Sequence, residues 1–425
     1  MAQHLKLAVC VVLAASLSCA AQNDNPRTSG AAHPNPPSAS SPSRNTNPGP
    51  EQRFVLDTVK MAVALRQPDP QDRLRVLASA AEVASTVDRT LAKSLWKEGV
   101  QIESELVRAG NTPAVSMMAS GQADCATAQN FIENLPQDAV LKAEQALIGA
   151  VTSCPKQLLD PVSRKLDAAL ENHIVAPRAL MAAMEAQGPK SPWSQNHFEK
   201  MFASLPGPKE NAGEAENIAA MYARMAGEVD RDAARKAGLS LLNWLGKLDD
   251  TPQRTTAITI TTGAMQQALG AQGFRSALES DVVANAVVRS NTGKEVSSQH
   301  ASGEGTSVLE AMDNKGSDQT DRLREMPPSE RARAAAAHGF AEGVGGDKAQ
   351  AGKYFDMAFA AVDEAWDARG SETKAAALVQ EVSEAAAHVD AVNALERAQR
   401  LRDSTAQSLA MLAVARVVAS NSMGH

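Results

Sequence analysis

From Glu51 onward, apolar side chains recur at helical spacing, and proline or glycine cuts the pattern into segments of about 10 to 23 residues. Leu91, Leu95, Ile102 and Leu106 step by four, seven and four, which keeps them on one helix face. The interruptions fall at Pro68 with Pro70, Gly110 to Pro113, Pro136, Pro155, Pro161, Gly188 to Pro192, Pro206 to Pro208, and Pro252. This alternation predicts about seventeen helices joined as antiparallel hairpins. Composition points the same way. The broad hydrophobic class makes up 44% of the chain but aromatic residues only 3%, and much of the difference is alanine. Alanine favours closely packed helices and leaves sheets without the β-branched and aromatic side chains they need. The expected fold is therefore all-α, a set of stacked antiparallel hairpins in the manner of an α-solenoid.

A unit recurs within the pattern. Val87-Asp88, Val229-Asp230, Gly346-Asp347 and Val389-Asp390 each follow an alanine-rich helix and precede another. Asp88, Asp230, Asp347 and Asp390 are placed to cap the free N–H groups of the helix that follows. Four, eight and eleven residues after each aspartate come Ala92, Trp96 and Gly99; Ala234, Gly238 and Leu241; Ala351, Phe355 and Ala358; and Ala394, Ala398 and Leu401. Asp347 and Asp390 stand 43 residues apart, a period expected of hairpins that hide their apolar faces against neighbours.

Within residues 332–365, Gly339, Ala351, Phe355 and Ala358 stand where a tetratricopeptide repeat wants Gly or Ala, Ala, Phe and Ala. This stretch resembles that family, with Ala335 and Glu342 in place of its usual Trp and Tyr and Asp363 in place of its Pro. The resemblance implies a divergent repeat of helix-turn-helix units, tetratricopeptide- or HEAT-like, whose stacked surfaces bind protein or peptide.

The first fifty residues have a different character. Lys6, an apolar run from Leu7 to Leu17 and the small residues Ser18 to Ala21 have the order of a secretory signal peptide over residues 1–21. The run is too short for a membrane-spanning helix. Two cleavage chemistries are open: an ordinary signal peptidase cutting before Gln22, or acylation of Cys19, since Ser16, Leu17, Ser18 and Cys19 resemble a bacterial lipobox. Residues 22–50 are rich in Pro, Ser, Asn and Gly and are expected to form a disordered spacer. Beyond it the expected organisation is a helical body over 51–289, a linker or loop over 290–327 with one short helix at Val308 to Met312, and a C-terminal helical unit over 328–420.

Chemistry is sparse. Cys125 and Cys154 remain as a pair once the leader is set aside, one opening a predicted helix and the other closing the next, which makes them a disulfide candidate. Five of the eight histidines, His173, His197, His300, His338 and His388, lie between the leader and the terminal His425 and are scattered without metal-ligand spacing. No nucleophile elbow or phosphate loop occurs, and Gly343, Gly345 and Gly346 lack the following Lys-Ser or Lys-Thr. Glu98, Glu103 and Glu105, like Asp363, Glu364 and Asp367, are expected on solvated helix faces beside Lys97, Arg108 and Arg369. A net charge of -7 gives no basis for binding nucleic acid. No cofactor is implied, and contact with a membrane is expected only through a lipid on Cys19.

These readings favour an exported, noncatalytic interaction scaffold of the bacterial envelope, periplasmic or extracellular, with an unidentified protein or peptide partner. The alternatives are an α/α-toroid hydrolase or lyase, with Trp193 or Trp244 lining a polysaccharide groove beside two carboxylates, and a purely structural lipoprotein.

Overall fold

A computed structural model describes residues 49–120, 124–205, 212–291, 320–368 and 372–423. The expected signal, Cys19, the expected spacer up to residue 48, the Val308–Met312 segment, His300, Arg369 and the Pro206–Pro208 break lie outside the described residues, whereas Pro50, expected to end the spacer, opens α1. Among the described residues there are seventeen α-helices and no strand. They are α1 (Pro50–Ala64), α2 (Pro70–Ser85), α3 (Arg89–Arg108), α4 (Cys125–Glu133), α5 (Glu144–Ser153) and α6 (Pro155–Glu171). Next come α7 (Pro177–Gln187), α8 (Pro192–Ala203), α9 (Ala215–Ala226), α10 (Arg231–Leu245), α11 (Pro252–Glu279) and α12 (Val282–Asn291). The last five are α13 (Thr320–Arg324), α14 (Pro328–Val344), α15 (Lys348–Asp367), α16 (Glu372–Ala398) and α17 (Ser404–Met423).

The prolines mark where helices start. Seven helices, α1, α2, α6, α7, α8, α11 and α14, have Pro as their first residue, a position where its missing N–H removes no helical bond and its fixed φ is already right. Pro161 corrects the expectation of a break: it lies inside α6. Two interruptions fall elsewhere. Gly270 leaves helical geometry within α11 at φ 75, which glycine tolerates without strain, and Asp390, expected to start a new helix, does so across a kink within α16 at φ -159 and ψ 99. The short helix α13 occupies the end of the segment expected to be a linker, and its Leu323 is buried.

Packing runs mostly between sequence neighbours. α2 lies on α3, α7 on α8, α10 on α11 and α14 on α15, while α8 also meets α10 and α9 meets α11. Small residues let these helices approach. A Cβ on Gly339 of α14 would stand 3.1 Å from the Phe355 ring of α15, and one on Gly238 of α10 would stand 2.7 Å from the Tyr222 hydroxyl of α9 and from Met265 of α11.

Contacts of one helix reach well beyond neighbours and next neighbours. The last helix, α17, packs on the first two, α1 and α2, as well as on α16. The Ser404 hydroxyl donates to the Arg66 carbonyl at 2.8 Å, and the Ser408 hydroxyl lies 2.9 Å from the Ala62 carbonyl. The numbering thus falls along α1 as it rises along α17, so the two helices run antiparallel. Arg416 of α17 holds Glu82 of α2 at 2.9 Å and Glu384 of α16 at 3.0 Å. The C-terminal helices therefore lean on α1 and α2, and the described residues form one packed unit.

Candidate functional site

The four repeated aspartates sit at helix starts. Asp88 accepts from the amides of Thr90 and Leu91, Asp230 from Ala233, Asp347 from Gln350 and Asp390 from Asn393, all at 2.9 to 3.1 Å. The residues four and eight positions after each aspartate are all buried. These caps set the rotation of each following helix, and in α3 that rotation builds an unusual seam. Ala92, Leu95, Trp96, Gly99, Val100, Glu103, Leu106 and Val107 form the buried face of α3.

Into this face fits a single 3-10 turn, Met117–Ser120. The Trp96 indole N–H donates to the Met117 carbonyl at 2.8 Å, and the Met117 N–H donates to Glu103 Oε2 at 3.0 Å. Both Met117 and Met118 are fully buried. Glycines flank the turn: a Cβ on Gly99 would lie 2.7 Å from the Met117 side chain, and one on Gly149 of α5 only 2.4 Å from the Met118 backbone. The turn packs far more extensively on α5 than α3 does on α4, so it is the main wedge between the α2–α3 pair and the helices that follow. Lys142 donates to the Gly110 carbonyl, and Gln71 of α2 bonds the Thr112 carbonyl and the Ala114 N–H, fastening the loop that carries the wedge.

Glu103 corrects the expectation of a solvated acidic face. It is 1% exposed, and burial pushes its carboxyl up to about 7 against the opposing pull of Ser116 and the amides of Met117 and Met118. Its Oε1 is buried with no hydrogen-bond partner. The sequence carried the signal: residue 103 lies four after Gly99 and three after Val100, on the face that holds Trp96. Glu98 and Glu105 do lie outside, Glu98 paired with Arg73 at 2.7 Å and Glu105 accepting from Gln101. The second acidic group is countered from other parts of the fold, Asp363 and Asp367 by Arg402 of the α16–α17 loop and Glu364 by Arg331 of α14.

Beside the wedge, Cys125 at the start of α4 is bonded to Cys154 at the junction of α5 and α6, with Cα atoms 5.9 Å apart. Between α3 and α4 an open groove of about 300 Å³ is walled by Lys97, Gln101, Arg108, Asn130 and Asn134, with Val100 and Phe131 at its base. It offers amide donors and acceptors over an apolar base, which is the chemistry of recognition. Two further hollows, of about 440 Å³ beside Arg231 and Arg235 and about 260 Å³ beside Arg397 and Arg400, are lined by ion-paired helix faces.

A third polar cluster was not read from the sequence, because Asp167 lies on a different helix from Trp193 and His197, which are four residues apart on α8. Asp167 of α6 accepts from the Trp193 indole at 2.9 Å and faces His197 Nε2 at 2.6 Å. The other ring nitrogen of His197 lies 2.8 Å from the Trp193 carbonyl. With both nitrogens engaged and its ring stacked on Trp193 at 4.0 Å, His197 ties α8 to α6 and has no edge for a substrate. Trp244 is buried in the core, and Trp193 is half-buried. Glu144 of α5 serves another structural end. Its Oε1 accepts from the amides of Arg178 and Ala179, capping α7 from a distant helix. His338 is buried and stacked on Tyr354, whereas His173 and His388 are exposed. Among the described residues no group of three or more His, Cys, Asp or Glu is placed to hold a metal. Comparison with protein-family models, curated proteins and solved structures returned no match for this chain.

Proposed function

We propose that the protein is an exported, noncatalytic helical-repeat scaffold of the bacterial envelope that binds a protein or peptide partner. The observation that carries this reading is the order of packing, in which most helices rest on their sequence neighbours, as the units of a stacked tetratricopeptide- or HEAT-like array do. Arrays of that kind work through their extended surfaces. Here the groove between α3 and α4, with amides over an apolar base, is the surface patch best equipped to bond a peptide chain. The Cys125–Cys154 bond supports export, because such bonds persist in oxidising compartments. Anchoring through Cys19 would hold the scaffold at a membrane; release by signal peptidase would leave it free.

The full-length chain, expressed with its leader and captured from envelope fractions, should bring down a reproducible partner that is lost when Gln101 and Asn130 are both replaced by Arg. Absence of any reproducible partner would count against the scaffold reading, and equal retention by the variant would move the contact away from the groove. Fatty-acid labelling that disappears in Cys19→Ala would establish the anchored form.

A further inference from the structure

The seam at Met117 joins α2–α3 to α5 through one short turn, and the group that holds the turn is a carboxyl. Glu103 lies across from backbone amides, with one oxygen bonded to the Met117 N–H and the other buried and without a partner. The Ser116 hydroxyl and the Met117 and Met118 amides pull toward the anion, but burial to 1% exposure, with no cation facing it among the described residues, costs the anion more than they return. The surrounding charges do not relieve it. On α2, Asp72 and Arg75 bond each other, and Arg73 is turned to Glu98. On α3 itself Lys97 and Arg108 are exposed. On α5, Glu144 is engaged on α7, and Lys142 in the preceding turn is on Gly110. Residues 109–120 carry no charged side chain. The wedge itself has no slack, since the Gly99 and Gly149 contacts leave no room for the turn to shift while α3 and α5 stay in place.

We propose that Glu103 is a pH-released latch: its protonated carboxyl keeps the Met117–Ser120 wedge seated, and loss of the proton drives the wedge out and loosens the packing of α2–α3 on α5. This device goes beyond the scaffold reading and does not depend on it. Its consequence for that reading is that the α3–α4 groove, whose α3 wall carries the latch, would change shape between acid and neutral surroundings. The direction is fixed by where the acid is buried. In the seated state the carboxyl titrates at about 7, against 4.5 for a solvated one. The opening equilibrium therefore rises by about 30-fold between pH 5.5 and 8.

Hydrogen exchange of the intact protein, normalised to intrinsic rates, tests this on peptides covering 109–120. Protection in the wild type should fall by about 30-fold from pH 5.5 to pH 8, and Glu103→Gln should show the same protection at both. Equal wild-type protection at the two pH values would overturn the proposal, as would an equal loss in the glutamine variant. Should that variant not fold, the wild type alone decides. Loss confined to 109–120 while α9 and α10 stay protected supports the latch, and a uniform loss along the chain overturns it.

Discussion

A carboxyl buried as deeply as that of Glu103 makes folding itself depend on pH. Its folded value is raised, from 4.5 to about 7, so the native state keeps a proton that the unfolded chain has already lost across that interval. The contribution is therefore favourable at low pH, declines as pH rises from 4.5 to about 7, and is flat above. The whole effect is on the order of 3 kcal/mol. Denaturant titrations at pH 5 and pH 8 should show wild-type stability falling while Glu103→Gln changes little; parallel behaviour of the two proteins would remove Glu103 as the cause. The glycines around the same turn allow a sharper comparison. Gly149→Ala places a methyl 2.4 Å from the Met118 backbone, whereas Gly263→Ala in α11 meets nothing within 4 Å. The first should cost about 1 to 3 kcal/mol or more, because a backbone cannot turn aside. The second should stabilise by about 0.5 to 1 kcal/mol through helix propensity. Melting temperatures moving in opposite directions would bear out the wedge.

At the level of elements, much of the helix plan was legible because its signals are local. Asp88 and Asp230 announce helix starts by side chains that reach only two or three residues ahead, and the prolines at 70, 155, 192 and 252 mark first turns by their missing N–H. Pro161 misled because a proline in a helix costs one bond and a steric clash, which the packing of Leu158, Val162 and Leu166 around it can offset. Gly270 was silent for the opposite reason, since glycine is tolerated in a helix and at a kink alike. Loss of the Asp88 cap, with its two amide bonds, should cost about 1 kcal/mol in Asp88→Ala. The Cys125–Cys154 bond spans 29 residues of separation and should contribute about 3 to 4 kcal/mol by restricting the unfolded chain. Replacing both cysteines by serine should lower the denaturant midpoint accordingly, and an unchanged midpoint would show that the bond restrains nothing the packing does not already hold.

On the scale of the whole molecule, the contact least legible in the sequence is the one that ties its ends. Ser408 meets Ala62 across 346 positions, a separation that no periodicity or cap can encode. Its one trace is the character of α17, where Leu409, Met411, Leu412 and Val414 are buried on sides that a surface helix would leave polar. Such a helix needs partners on several faces, and α16, α1 and α2 supply them. Because α1 and α17 run antiparallel, they form a hairpin in every respect except a covalent turn. Followed from the Arg66–Ser404 and Ala62–Ser408 pairs, this antiparallel course carries the end of α17 toward the start of α1. A short Gly-Ser linker from residue 423 to residue 49 should therefore supply the missing turn. The rearranged chain, beginning at Thr320 and ending at Asn291, should fold with the helicity of the parent over the described residues. Its refolding should be faster, because α1 and α17 become sequence neighbours and their contact no longer closes a loop of more than 300 residues. Circular dichroism and stopped-flow refolding measure both, and a permuted chain that stays unfolded would mean that residues 292–319 do more than connect α12 to α13.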